Sequence, residues 1–214
     1  MPLAFRPQSL EMTHMSEAEF NNLSNLSGYL QTRRSGRPRN LIEPGPSDTQ
    51  LRDIVRVAMR TPDHGKLAPW RVVAVASDQR DNLADGLKAA YLREKPDAGR
   101  SELEAMDNMA REAPALLTVL SSPVESSKIP VWEQELSCGA FCMNLIHAIH
   151  AENFLGGWIT GWPAFNEDVR DMFGKAPEKI AGFIFAGSTG APLKERPRPQ
   201  LDEIFSQWSP PQTD

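Results

Sequence analysis

Apolar positions along the chain switch between helical and strand spacing, and the switches mark out the elements. Phe20, Leu23, Leu26 and Leu30 recur three and four residues apart, and Ser16 with Glu19 has the form of a capping box. A helix is therefore predicted from Ser16 into the stretch QTRRSGRPRN, where Gly36 and Pro38 stop it. Ser47 with Gln50 repeats the capping signal, and Leu51, Ile54, Val55, Ala58 and Met59 form the stripe of a second helix ending near Arg60. Pro62, Gly65 and Pro69 bound a loop, TPDHGKLAP, and WRVVAVAS (Trp70 to Ser77) reads as a buried strand. Asp78 caps a predicted helix carrying Leu83, Leu87, Ala90 and Tyr91. Ser101 with Glu104 opens another that ends before Pro114, and ALLTVLS (Ala115 to Ser121) is a second buried strand. From Val131 to Asn153 the apolar positions cover more than one face, which predicts a helix buried nearly all round by its own domain or by a partner chain. Asn166 caps a short helix with Val169, Met172 and Phe173 before Gly174, and IAGFIFAG (Ile180 to Gly187) is a third strand. Strands interleaved with helices place the chain in the α/β or α+β class, with about five helices and three or four strands.

Composition changes this picture little. The 214 residues are 40% hydrophobic and 24% charged, which suits one globular domain or two small ones. No apolar run approaches the roughly 20 residues that cross a bilayer, and MPLAFRPQSLEMTH lacks the form of a secretory signal, so a cytoplasmic protein is expected. The two cysteines, Cys138 and Cys142, fit a reduced intracellular chain rather than a disulfide framework. Residues 1–15 read as a loose arm. The segment 191–214 is rich in proline and charge yet holds Leu201, Ile204, Phe205 and Trp208, the pattern of a tail that lies along another subunit.

Charge sharpens the question raised by the arginines. Arg33, Arg34, Arg37 and Arg39 crowd one short window in a chain of net charge -5 and pI near 5.5. A local anion site, a solvated turn and a nucleic-acid patch all remain open, though the acidic balance and the lack of a second basic block count against nucleic acid. Cys138, Cys142, His147 and His150 share one helix but match no zinc spacing, so no metal is expected. No G-x-S-x-G elbow occurs. GGWITGW follows a helix rather than a strand and is not a dinucleotide fingerprint. Gly156 and Gly157 either cap that helix or let the backbone approach something closely. Arg60, Asp63, His64 and Lys66 cluster on one constrained loop, which is either a site or a solvated turn.

Taken in order, RRSGR, MRTPDHGKLAPW and VWEQELSCGAFCMNLIHAIHAENFLGGWITG resemble the nitroreductase family of flavoproteins, in particular its small bacterial members with a Pro-Asp-His loop. The resemblance spans roughly Gly28 to Gly187. It implies an α+β fold, with a central mixed, mostly antiparallel sheet flanked by helices, in an interlocked homodimer with an exchanged C-terminal tail. The corresponding division is an arm at 1–15, an FMN-binding domain at 16–190 and a tail at 191–214 on the partner. The resemblance further implies FMN at the subunit interfaces and ping-pong hydride transfer from NADPH or NADH to nitroaromatic, quinone or related small acceptors. An alternative is a flavin storage, sensing or biosynthetic oxidase role on the same fold. No membrane or nucleic-acid partner is expected. By resemblance Arg33, Arg34 and Ser35 hold the phosphate and ribityl chain, with Arg37 behind them. Arg60 and His64 reach the flavin from the other subunit, and Trp158, Ile159 and Thr160 lie against its ring system. Arg198 is similar to a late basic residue that assists at the phosphate. The flavin carries the chemistry, so no side chain is expected as an essential acid or base. Ala68 stands where the family often has glutamine and Ile159 where close relatives have arginine, so substrate or cofactor preference is expected to differ.

Overall fold

The computed structural model describes residues 20–125 and 128–211. Its centre is a five-stranded sheet of β1 (Leu41–Ile42), β2 (Trp70–Val75), β3 (Ala115–Ser121), β4 (Leu155–Ile159) and β5 (Lys179–Thr189), in the order β1-β5-β3-β2 with β4 also on β5. Every ladder among the described residues is antiparallel. Among the described residues eight α-helices accompany it: α1 (Leu26–Thr32), α2 (Asp48–Ala58), α3 (Arg80–Glu94), α4 (Arg100–Arg111), α5 (Val131–Ala151), α6 (Trp162–Phe165), α7 (Glu167–Phe173) and α8 (Leu201–Ile204).

Side-chain alternation along the central strands builds two cores. Leu116 and Leu120 of β3, with Phe183 and Phe185 of β5, face α3, α4 and α7. Leu117, Val119, Ile184 and Ala186 face α2 and α5. All of β3 is buried, as expected of a strand with helices on both faces. Cys138 and Cys142 are free, buried members of the second core. Arg80 ties the first layer together: its guanidinium donates to the carbonyls of Val75 (3.2 Å), Ala110 (2.9 Å) and Pro114 (3.3 Å).

The structure corrects several expected boundaries. The first helix begins at Leu26, capped by the Asn25 side chain accepting from Gly28 N, and Phe20 and Leu23 precede it in turns. The Ser16/Glu19 capping box and the arm at 1–15 lie outside the described residues. Asp78 falls in a 3-10 turn before α3, and α4 starts one residue earlier than Ser101, with Glu102 accepting from Gly99 N. The strands β1 and β4 were not foreseen. The Ser47/Gln50 capping box and the Asn166 cap form as expected. The helix expected from Val131 ends at Ala151, and its own chain does not cover every face, since Trp132 and Leu136 are 67% and 55% exposed. No helix among the described residues is long and apolar enough to cross a membrane.

Candidate functional site

The arginine segment leaves α1 and runs against β4. Gly36 N donates to Gly156 O at 2.9 Å, and the backbone of Gly157 lies against the Gly36 carbonyl, where a side chain would not fit. The glycine pair therefore serves a close approach, with β4 in place of a helix cap. Asn21 holds the segment from outside: its side chain accepts from Arg34 N at 2.8 Å and donates to Arg34 O at 3.1 Å.

Among the described residues, the guanidinium groups so placed make no ion pair. Arg33 donates to Ser35 Oγ at 3.2 Å, and Arg34 donates through Nε to Lys194 O at 2.8 Å. None of the ion pairs among the described residues involves Arg33, Arg34, Arg37 or Arg60. By contrast, Arg71, Arg93 and Arg111 each meet a carboxylate. The start of the tail adds further positive charge. Burial and then the Arg196 charge lower the pKa of Arg34, with Arg198 and Arg33 acting in the same sense and Glu195 opposing them. Glu195 is itself bonded to Arg198 at 3.1 Å. Cations gathered with one carboxylate among them have the chemistry to take an anion with several acceptor oxygens.

Beyond Gly157, β4 carries Trp158 and Ile159, paired with Ile184 and Phe183 of β5. The Trp158 indole donates to Ala181 O at 3.1 Å and crosses Gly182, whose φ of +158 and lack of a side chain leave room for it. Ile159 is half-buried and Thr160 exposed just past the strand.

The TPDHGKLAP loop lies elsewhere. Asp63 shapes it by accepting from Leu67 N (3.1 Å) and Ala68 N (2.8 Å) around positive φ angles at Gly65, Lys66 and Ala68. Three bonds fix it to α2 and α5: Ser137 Oγ to Pro62 O (2.6 Å), Asn144 to Thr61 Oγ1 (2.7 Å), and Thr61 Oγ1 to Ala58 O (2.8 Å). His64 Nδ1 meets Glu133 at 2.8 Å.

Within one chain these pieces do not form one site. His64 sits at the Glu133 end of α5, whereas the arginine segment adjoins the His147 end, roughly 20 Å away along the helix. Arg60 lines a groove with Tyr29, Leu30 and His147, at the arginine end. The sequence did not single out Lys194, Glu195 and Arg196 beside Arg34, or Tyr29 packed beside the segment. The available signals were the arginine pair in ERPRPQL and the four-residue spacing of Tyr29 and Arg33 on α1.

A family model described as the nitroreductase family matches residues 30–188. The chain belongs to the nitroreductase family. YdjA of Escherichia coli (strain K12), provisionally named an NAD(P)H nitroreductase, is 34% identical over 152 residues, covering 69% of this chain and 80% of the relative. A nitroreductase-like protein from Bacillus cereus has the same fold, with a TM-score of 0.72 at 17% identity over 92% of this chain and 97% of its own. A nitroreductase from Bacteroides fragilis, solved with bound FMN, gives a TM-score of 0.61 at 17% identity, covering 83% and 96% respectively. This nitroreductase-family chain thus has its arginine segment, loop and β4 inside the matched span, and its tail outside it.

Proposed function

We propose that the protein is a homodimeric, FMN-dependent oxidoreductase. It takes two electrons from NADPH or NADH and delivers them to nitroaromatic, quinone or related small acceptors, with reductant and acceptor occupying one place in turn. The observation that carries this reading is the group of unpaired guanidiniums at Arg33 and Arg34 against a glycine-lined strand. A flavin phosphate carries nearly two negative charges and several acceptor oxygens, which is the chemistry this donor set lacks a partner for.

Arg33, Arg34 and Ser35 would hold the phosphate end, with Arg37 behind them and Arg198 adding charge from the tail. Trp158, Ile159 and Thr160 would offer backbone to the ring system. Bound FMN supplies two-electron transfer between a reduced nicotinamide and the acceptor, so the side chains need only bind, orient and exclude water. Arg60 and His64 would complete the site of the other protomer; one chain holds His64 far from the arginines, and a two-fold axis would bring the two together from different copies. Exposed apolar residues support such a partner: Trp132 and Leu136 on α5, Leu26 and Leu30 on α1, Val57 on α2 and Met59 just past its end. In the tail, Phe205 and Trp208 are 61% and 84% exposed, which suits a tail at 191–214 packing on the second copy of the 16–190 domain.

Anaerobic reduction tests this reading. The purified dimer is expected to be yellow, to bleach with NADPH or NADH under nitrogen, and to recover its colour on adding a quinone or nitroaromatic. Yellow protein that does not bleach would favour a flavin storage or sensing role. Colourless, monomeric protein that takes up no FMN would overturn the proposal.

A further inference from the structure

Tyr29 of α1 is buried between two histidines of α5. Its hydroxyl lies 2.8 Å from His147 Nδ1 and 2.9 Å from His150 Nδ1, with both imidazoles edge-on to the phenol ring at 74° and 83°. His150 is 2% exposed, and its Nε2 has no hydrogen-bond partner. A phenol carries one proton, and each neutral imidazole is a donor at one nitrogen and an acceptor at the other. The hydroxyl can satisfy both contacts only if one histidine presents Nδ1–H and the other a bare Nδ1. Two Nδ1–H tautomers would leave the phenol proton without an acceptor, and two bare nitrogens would leave one lone pair facing another.

This arrangement is the main anchor of α1. The helix has seven residues, of which only Tyr29 and Thr32 are buried, while Leu26 and Leu30 face outward. Arg33 follows one turn after Tyr29 on the same face, and its charge acts on Tyr29, His147 and His150 alike. The other groups facing the three rings are Arg60, from the end of α2 in the groove of Tyr29 and His147, and the Gly156 backbone of β4 beside His150.

We propose that Tyr29, His147 and His150 form a positioning unit that fixes the end of α1, and with it the Arg33 guanidinium, in a geometry that lasts only while at least one of the histidines is neutral. The proposal rests on the FMN reading above. A first proton on His147 leaves the network intact in one polarity, because the phenol still donates to His150. A second proton turns both Nδ1 atoms into donors, strands the phenol proton and places two cations beside Arg33. Burial lowers both histidines, with His150 near pH 4, so the unit is neutral at pH 7 and is lost on acidification.

The test uses the full-length dimer stripped of flavin. FMN is titrated by fluorescence quenching from pH 8 down through the His150 transition near pH 4, for the wild type and for Tyr29→Phe, which keeps the ring and its packing. The imidazole nitrogens are assigned by 15N NMR at pH 7.5. Tyr29→Phe is expected to weaken FMN about tenfold at pH 7.5 while remaining a dimer. It is also expected to lose the fall in affinity that the wild type shows on acidification. The wild-type spectrum is expected to show His147 and His150 as opposite tautomers. Equal affinity and an equal pH profile in the two proteins, or identical tautomers, would overturn the inference while leaving the FMN reading in place. Wild-type protein that binds no FMN would overturn both.

Discussion

A β-carbon on Gly157 would lie 2.5 Å from the Gly36 carbonyl oxygen, so β4 and the arginine segment touch backbone to backbone. Neither side of that contact is a flexible side chain that could move away. Gly157→Ala is expected to push the segment off the strand, at about 1–3 kcal/mol of stability, and to weaken FMN retention. Thermal melts and the ratio of flavin to protein absorbance check both effects. An unchanged melt would mean that the segment shifts freely.

Removing the cations themselves should separate binding from folding. Arg33 and Arg34 are half-buried and contribute one side-chain bond to Ser35 Oγ and one to a carbonyl, with no ion pair among the described residues, so Arg33→Ala with Arg34→Ala is expected to stay dimeric and lose most of its FMN. Size-exclusion chromatography with in-line absorbance reads both. Full flavin retention would remove these residues from the phosphate site.

The exposed stripe on α5 gives a complementary result. Trp132→Glu with Leu136→Glu places charge on a face that the second protomer is proposed to cover, and should yield monomers. Those monomers should also lose flavin, because each would hold half of a site. A stable, yellow double variant of dimeric mass would show that the partner covers some other face.

Arg80 is a buried cation held by three carbonyls, and burial lowers its pKa. Arg80→Met should cost about 3 kcal/mol, since the carbonyls of Val75, Ala110 and Pro114 lose their donor in a dry setting. Denaturant unfolding measures the loss, and flavin affinity should be unaffected.

Stability should also follow His150. Its folded pKa near 4 lies below the ordinary value of 6.5, so the unfolded chain takes up a proton more readily across that interval. The contribution is whole above pH 6.5 and is lost as pH falls toward 4, on the order of 3 kcal/mol in all. His150→Phe should flatten that part of the stability profile. An equally steep fall in the variant would place the titration elsewhere.

Elements declared by local chemistry were readable in advance. Ser47 with Gln50 and Asn166 cap the helices they were expected to cap, and the apolar run from Val131 falls within two residues of the true α5. Strand β4 was hidden because LGGWI holds two glycines, which favour turns when judged alone. Pairing with β5 and the tight fit against Gly36 override that preference. The start of α1 was misread because Phe20 and Leu23 keep helical spacing while Asn21 and Asn25 direct their side chains to backbone groups instead. The arginines raised an anion site as one of three readings, but no periodicity could show that Tyr29 lies within hydrogen-bonding distance of two histidines more than a hundred positions later.

The length of α5 between Glu133 and His147 also has a genetic consequence. In the proposed dimer, two polypeptides crippled in different halves, one lacking its paired arginines and the other lacking His64, would when co-expressed give mixed dimers with one undamaged centre, rescuing each other as neither could alone.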